Sequence, residues 1–244
     1  MTKVFVHGVP ETERLWDELR SHLSTTDSVA LSLPGFGNPL PAGFEPTMDN
    51  YAAWLIEQLE GMDGPVDLVG HDWGGGFALR LVSLRPDLVR SWVIDAAGLA
   101  DVDFEWHDFA KIWQTPGQGE EFMDAQIATS PEDRAVLYTS LGMSSDAALN
   151  IARAFDRTMA DSILALYRSA TKVHEEWGPA FENIPKPGLV IIPSDDVFLN
   201  ETSARRSAER AGARVVDLPG QGHWWAVSDP KGGAAVLEEF WASL

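Results

Sequence analysis

Three short stretches of this 244-residue chain hold side chains whose types and order suit covalent chemistry. The first is Gly70-His71-Asp72-Trp73-Gly74, with Gly75 and Gly76 behind it. A glycine, any residue, a nucleophile, any residue and a second glycine put the middle side chain on a strained turn between a strand and a helix, and the glycines let the two elements pass closely. Here the middle residue is an aspartate, ionised at neutral pH because its ordinary pKa is about 3.9. A carboxylate can displace a leaving group at a saturated carbon and form an alkyl-enzyme ester, and at a helix N-terminus it would stay charged and aimed. A lone aspartate before a helix is more often a cap; the pentapeptide around Asp72 favours the nucleophile. The second stretch, Gly220-Gln221-Gly222-His223-Trp224-Trp225, offers His223 as general base for the water that would hydrolyse such an ester. The third, Pro193-Ser194-Asp195-Asp196-Val197-Phe198, offers two carboxylates, either able to accept from the other ring nitrogen of His223. His22 and His174 lie in helical stretches and read as solvated; His71 reads as packing under the turn.

The elements that must position these residues are legible as short β-branched runs alternating with helical patterns. Strands are expected at residues 4–6, 29–33, 66–69, 92–95, 188–192 and 214–218. Leu15, Trp16, Leu19 and Leu23 repeat on one helical face, as do Met48, Tyr51, Leu55 and Leu59 behind the capping candidate Thr47. Further helices are expected from about residue 75 to 84 and over 234–244. This alternation predicts an α/β fold with a mostly parallel sheet of about six strands and helices on both faces. In such sheets chemistry gathers at the carboxyl ends of the strands, where His7, Asp72, Asp196 and His223 fall. Residues 99–185 break the alternation with helical spacing and large side chains, among them Trp106, Phe109, Trp113, Tyr138 and Tyr167. We read them as a helical cap inserted between the fourth and fifth strands, leaving residues 1–98 and 186–244 as the core domain.

Composition narrows the partners. A net charge of −19 argues against nucleic acid and anionic membranes, which need a basic surface, and mildly against strongly anionic substrates. The absence of cysteine excludes disulfides, thiol nucleophiles and thiolate metal sites. The first residues turn polar too quickly for a signal peptide, and no apolar run approaches the ~18 residues of a membrane span. The expectation is a cytoplasmic, soluble protein.

The motifs together resemble one family. Gly70-His71-Asp72-Trp73-Gly74-Gly75 is similar to the nucleophile turn of the epoxide hydrolases and haloalkane dehalogenases, the branch of the α/β-hydrolase fold with an aspartate nucleophile. His7-Gly8-Val9-Pro10 resembles the His-Gly-x-Pro turn common among epoxide hydrolases, and Pro34-Gly35-Phe36-Gly37 the loop after the next strand. The segments around Asp196 and His223 resemble the acid and base turns. The likeness in order and spacing spans nearly the whole chain and is weakest in the cap. It implies Asp196 as the acid, with Asp195 as alternative and Asp95, at the end of another strand, as a third. It implies the backbone N–H groups of Val9 and Trp73 as the oxyanion donors, and Tyr167, in Leu166-Tyr167-Arg168, as a donor that polarises an epoxide. No metal or organic cofactor is implied; the partners are a small-molecule substrate and water.

Two departures qualify the resemblance. The early-cap position that usually supplies a second tyrosine falls near Phe109, which cannot donate; Tyr138 and His107 are the candidate substitutes. The fold also usually places two strands before the His-Gly turn, whereas six residues precede His7. The sheet edge on that side would be open or covered by a partner, so a homodimer is an arrangement to test. An epoxide hydrolase is the leading expectation. A haloalkane or haloacid dehalogenase with the same three residues is the alternative, weakened by Val9 where dehalogenases commonly carry asparagine, and for haloacids by Trp73 where arginine is usual. A catalytically silent ligand-binding member of the fold is a third reading.

Overall fold

The structure, a computed structural model, describes every residue except 96 and 102. Six parallel strands form one sheet in the order β2-β1-β3-β4-β5-β6. They are β1 (Lys3–Val6), β2 (Ser28–Leu31), β3 (Val66–Gly70), β4 (Val89–Ile94), β5 (Gly188–Pro193) and β6 (Arg214–Leu218). β2 is shorter than its apolar run because Pro34-Gly35 turns the chain away, and β4 starts three residues earlier than the expected 92. The outer edge of β2 is unpaired among the described residues, and its four residues are half-buried.

Side chains alternate across a strand, and here that alternation builds two cores. Val4, Val6, Leu68, Ile94, Val190 and Ile192 face one layer. It holds α2 (Met48–Glu60), α3 (Trp73–Leu84) and α10 (Glu201–Ala211). Phe5, Val69, Val93, Leu189 and Ile191 face the other. There they meet Trp16, Leu19 of α1 (Asp17–Ser21), Trp225 of α11 (Trp225–Ser228), and Leu237 and Phe240 of α12 (Pro230–Ala242). Thr47 caps α2 as its sequence suggests, its Oγ1 accepting from the Asn50 N–H. No helix among the described residues is long and apolar enough to cross a membrane.

Between β4 and β5 the chain forms α4 (Asp108–Gln114), α5 (Gln118–Ala128), α6 (Pro131–Ser140), α7 (Ser145–Ala154), α8 (Arg157–Ser169) and α9 (Val173–Glu176). Arg134 of α6, almost fully buried, ties several of them together. Its guanidinium donates to the carbonyls of Gln126, Thr129, Ala152 and Phe155. Carbonyls at the ends of α5 and α7 carry the negative pole of each helix, which offsets the cost of burying this cation without a carboxylate. After Ser169 the chain rejoins the sheet layer: Trp177 donates to Asp49 Oδ1 at 3.0 Å and lies edge-on to Phe77.

Candidate active site

The turn between β3 and α3 holds Asp72 at φ 51°, ψ −120°, in the positive-φ region that non-glycine residues rarely occupy. Three features fix it there. The Asp72 N–H donates to Asp95 Oδ1 at 2.8 Å. Its carbonyl accepts from the N–H groups of Gly75 and Gly76, which open α3. Neighbouring backbone also passes too closely for side chains: a Cβ on Gly74 would lie 2.3 Å from the Val6 carbonyl oxygen, and one on Gly8 would lie 2.4 Å from Asp72 Oδ1. The Asp72 side chain therefore stands above the carboxyl ends of the strands. Its Oδ1 accepts from the Val9 N–H at 2.9 Å. The Trp73 N–H, at the first position of α3, has no intrahelical acceptor.

His223, 4% exposed, donates from Nδ1 to Asp196 Oδ2 at 2.9 Å. The other Asp196 oxygen accepts from the Phe198 N–H. Burial pushes the His223 pKa down, but the charge and hydrogen bond of Asp196 outweigh it and leave the imidazole above its ordinary value. Asp195 points outward and accepts from the Ser194 hydroxyl. Asp95 does not reach His223; it binds His71 Nδ1 and the Trp225 indole, both at 2.6 Å. Of the three carboxylates offered by the sequence, Asp196 is the one on the base.

Beneath these residues lies a cluster that the motifs did not announce. Glu11, fully buried, accepts from the Gly8 N–H and from the Trp224 indole, each at 2.8 Å. Its Oε1 lies 3.5 Å from His71 Nε2. Burial opposes ionisation of Glu11, yet His71 overcomes it and brings its pKa down to about 2. Burial likewise opposes the charged form of His71, and Asp95 and Glu11 together raise its pKa well above the ordinary value. The result is a buried imidazolium between two carboxylates, its ring 4.6 Å from that of His223. One ligand-type atom from each of Glu11, His71 and His223 lies within 4.8 Å of the others. A metal ion would need a free His71 nitrogen, and a protonated ring repels a cation. Glu11 sits four residues after His7, directly behind the turn motif, and its burial was the missing signal.

Asp72 borders two cavities. The larger runs beneath the helices between β4 and β5, past Val9, Phe109, Trp113, Phe122, Tyr138 and Phe155. The smaller is lined by Trp73, Leu99, Phe104 and Trp106. Asp72, His107, Tyr167, Phe198 and His223 line both. Burial raises the Asp72 pKa from its ordinary 3.8 to about 6, against the pull of His223. Burial also raises the Tyr167 pKa well above its usual value and so keeps its hydroxyl protonated. His107 caps α4, its Nδ1 accepting from the Ala110 N–H at 3.2 Å. That bond leaves the ring proton on Nε2, and burial lowers the His107 pKa to about 4, so the ring is a neutral donor.

The site residues expected from sequence thus gather around one point, with one exception. His7 lines neither cavity. It is fully buried, with Nδ1 2.8 Å from the Gly8 carbonyl oxygen and Nε2 accepting from the Leu33 N–H. Its place is to lock the turn that presents Val9. Trp73 lines the smaller cavity through its indole, Phe109 contributes only an apolar wall, and Tyr138 faces the larger cavity from α6.

Comparison with known proteins agrees with this architecture. Over 91 residues, 36% of this chain, it is 38% identical to the lipase LipV of Mycobacterium tuberculosis (strain ATCC 25618 / H37Rv). Over 130 residues, 50% of this chain, it is 28% identical to the haloalkane dehalogenase of Agrobacterium fabrum (strain C58 / ATCC 33970). These matches span 34% and 43% of the two relatives, well under their full lengths. The structure of an epoxide hydrolase from an endophytic Streptomyces superposes with a TM-score of 0.79 at 20% identity, covering 99% of this chain and 88% of that one, a likeness of fold. Residues 4–236 match the alpha/beta hydrolase family, and the chain is a member of that family.

Proposed function

We propose that this hydrolase works through an alkyl-enzyme ester on Asp72 and that its substrate is an epoxide. The observation that carries the reading is the meeting, in one largely apolar cavity, of Asp72, the Asp196-backed His223 and two neutral donors, Tyr167 and His107. Asp72 attacks a ring carbon; the ester C–O bond forms as the ring C–O bond breaks, its electron pair going to oxygen. His107 hydrogen-bonds that oxygen as it departs, and Tyr167 gives it its proton. His107 thereby fills the role that Phe109 cannot. His223 then accepts a proton from water as the water adds to the ester carbonyl. The Val9 N–H, already on Asp72 Oδ1, and the Trp73 N–H hold the oxyanion; on collapse the departing oxygen takes the proton of the Asp72 carboxyl and leaves as the diol, and protonated His223 returns a proton to Tyr167. The helices of residues 99–185 act as the cap that keeps the cavity dry.

One observation favours a second reading. The indole N–H groups of Trp106 and Trp113 are buried without a hydrogen-bond partner among the described residues. These residues line the cavities that Asp72 borders, and unpaired donors there would suit a departing halide, with the same triad then serving a haloalkane dehalogenase. A panel of epoxides and bromoalkanes, run in single turnover in heavy-oxygen water, separates the readings. The epoxide reading expects a diol, with label entering the Asp72 carboxylate. Halide release without diol formation favours the second reading, and label going directly into product rules out the covalent ester.

A further inference from the structure

Two polar side chains of the larger cavity take no part in the chemistry described above. Tyr138 of α6 is 6% exposed, yet its hydroxyl makes no hydrogen bond among the described residues. Gln126 of α5 is half-buried, and its side-chain amide is likewise unpaired among the described residues. One helix crossing brings both to this cavity. Arg134 lies one turn before Tyr138 on α6, and its guanidinium holds the Gln126 backbone carbonyl through Nε and a terminal nitrogen. The lining contributed by the same helices and by α8 is otherwise apolar: Met123, Leu137 and Ile163. A buried hydroxyl without a partner is costly, which makes Tyr138 a group waiting for one. Tyr138 is set apart from the reacting groups. It lines only the larger cavity, whereas Asp72, Tyr167 and His107 line both. The Asp72 charge acts on the Tyr167 hydroxyl; the charges acting on that of Tyr138 are Arg134 and Glu11. Arg134 does not line the cavity and spends its guanidinium on backbone carbonyls, so this wall offers a carboxylate no cation.

We propose that Tyr138 and Gln126 determine specificity by binding a neutral hydroxyl group on the substrate, remote from its reacting carbon. Tyr138 donates to the hydroxyl oxygen, and the Gln126 side-chain carbonyl accepts from the hydroxyl hydrogen. The proposal rests on Asp72 as nucleophile and holds whichever group departs. It runs against the preference of an apolar cavity, where a substrate hydroxyl loses its water and is penalised. Only a protein partner placed to receive it reverses that order, and a site built to bind a hydroxyl discriminates against the analogue without one.

The test uses 1,2-epoxyoctane and its monohydroxy derivatives, with the hydroxyl moved one carbon at a time from the fourth carbon to the chain end. The matching 1-bromooctanes replace them if halide is the leaving group. Each compound is read as its kcat/KM divided by that of the unsubstituted chain. Wild-type protein is expected to give a ratio above one at one hydroxyl position and ratios below one elsewhere. Ratios below one at every position overturn the proposal and leave the Asp72 reading intact. At the favoured position Tyr138→Phe and Gln126→Leu should each lower the ratio roughly two- to tenfold, the range for one neutral hydrogen bond. Any general loss from altered packing affects both compounds and cancels in the ratio. A ratio that Tyr138→Phe leaves at the wild-type value contradicts the assignment. If neither series leaves an ester on Asp72 in His223→Gln, the nucleophile reading itself fails and takes the proposal with it.

Discussion

Replacing Asp72 by asparagine should make the protein more stable at neutral and alkaline pH while abolishing turnover. The reason is the cost of holding a carboxylate where burial opposes its charge. The Asp72 pKa is about 6, against an ordinary 3.8. At about 1.36 kcal/mol per pKa unit, the native state forfeits up to about 3 kcal/mol to keep this group ionised. Replacing the carboxylate by a neutral amide removes that cost, so a gain of up to about 3 kcal/mol is expected. The sign follows from the direction of the shift. Below the unfolded pKa the group is neutral in both states and the cost is absent. It grows as pH rises from about 4 to about 6 and is constant above. Asparagine has the same shape, tolerates positive φ, and can still accept from the Val9 N–H, so the substitution isolates the charge.

Urea unfolding of wild type and Asp72→Asn across pH 4.5–8.5 measures the difference directly. The variant should gain over wild type as pH rises and then level off. For a chain of this size the plateau corresponds to roughly 2–4 °C in melting temperature per kcal/mol. A difference that does not change with pH, or a variant less stable at pH 8, would refute the claim that the nucleophile is held against its own desolvation.

Other substitutions probe the remaining parts. His223→Gln should leave an adduct on Asp72 detectable by intact mass with any accepted substrate; failure to find one speaks against the covalent ester. Tyr167→Phe and His107→Phe should each slow adduct formation by roughly 10²–10³, the range for losing one preorganised donor, and leave adduct hydrolysis much less affected; equal loss in both steps would mean a packing role. Glu11→Gln leaves the buried His71 cation short of a partner and should cost about 3–5 kcal/mol in urea unfolding. It should also lower the Asp72 pKa, because the Glu11 charge is one of the influences raising it. An unchanged acid limb in single-turnover adduct formation would argue against that coupling.

The layout of the sheet was legible because its strands are short β-branched runs bounded by Pro-Gly and Gly turns, and their ends carry the motif residues. Asp72 and His223 stood out as candidates in local sequence, since each sits on a turn whose type constrains its neighbours, whereas the residues alone left Asp195 and Asp196 open and only the resemblance favoured Asp196. Glu11 could not, because one glutamate after a His-Gly-x-Pro turn says nothing of burial until Trp224, 213 residues later in the chain, is seen donating to it. His7 was misplaced for a related reason: ending a strand at the sheet's carboxyl edge is necessary for a site residue, but its ring faces Leu33 and Gly8 instead of a cavity. The helices between β4 and β5 were readable as helices, whereas which of their aromatic residues reach the cavity depends on how α4, α5, α6 and α8 meet. Arg134, which fixes much of that meeting, carries no motif.

In the proposed mechanism, the electrostatics would also keep the two half-reactions in order. The charge of Asp72 is one of the influences holding the His223 pKa up, after burial, which lowers it, and Asp196, which raises it most. Before reaction, Asp196 and the Asp72 charge favour the protonated form of His223, and positive charge there favours ionised Asp72. Ester formation removes the Asp72 charge, so the His223 pKa falls and the ring becomes a competent base when there is an ester to hydrolyse. The fixed cation at His71 pushes in the same direction, because it opposes a second positive charge on the ring beside it. Adduct formation should therefore lose rate below about pH 6, where Asp72 is protonated. Adduct hydrolysis should lose rate only below a pKa lower than that of His223 in the free protein, as read by its imidazole NMR titration. If the hydrolysis limb coincides with the free-protein value, the charge on Asp72 is not what sets the base, and the ordering must come from the geometry of the water instead.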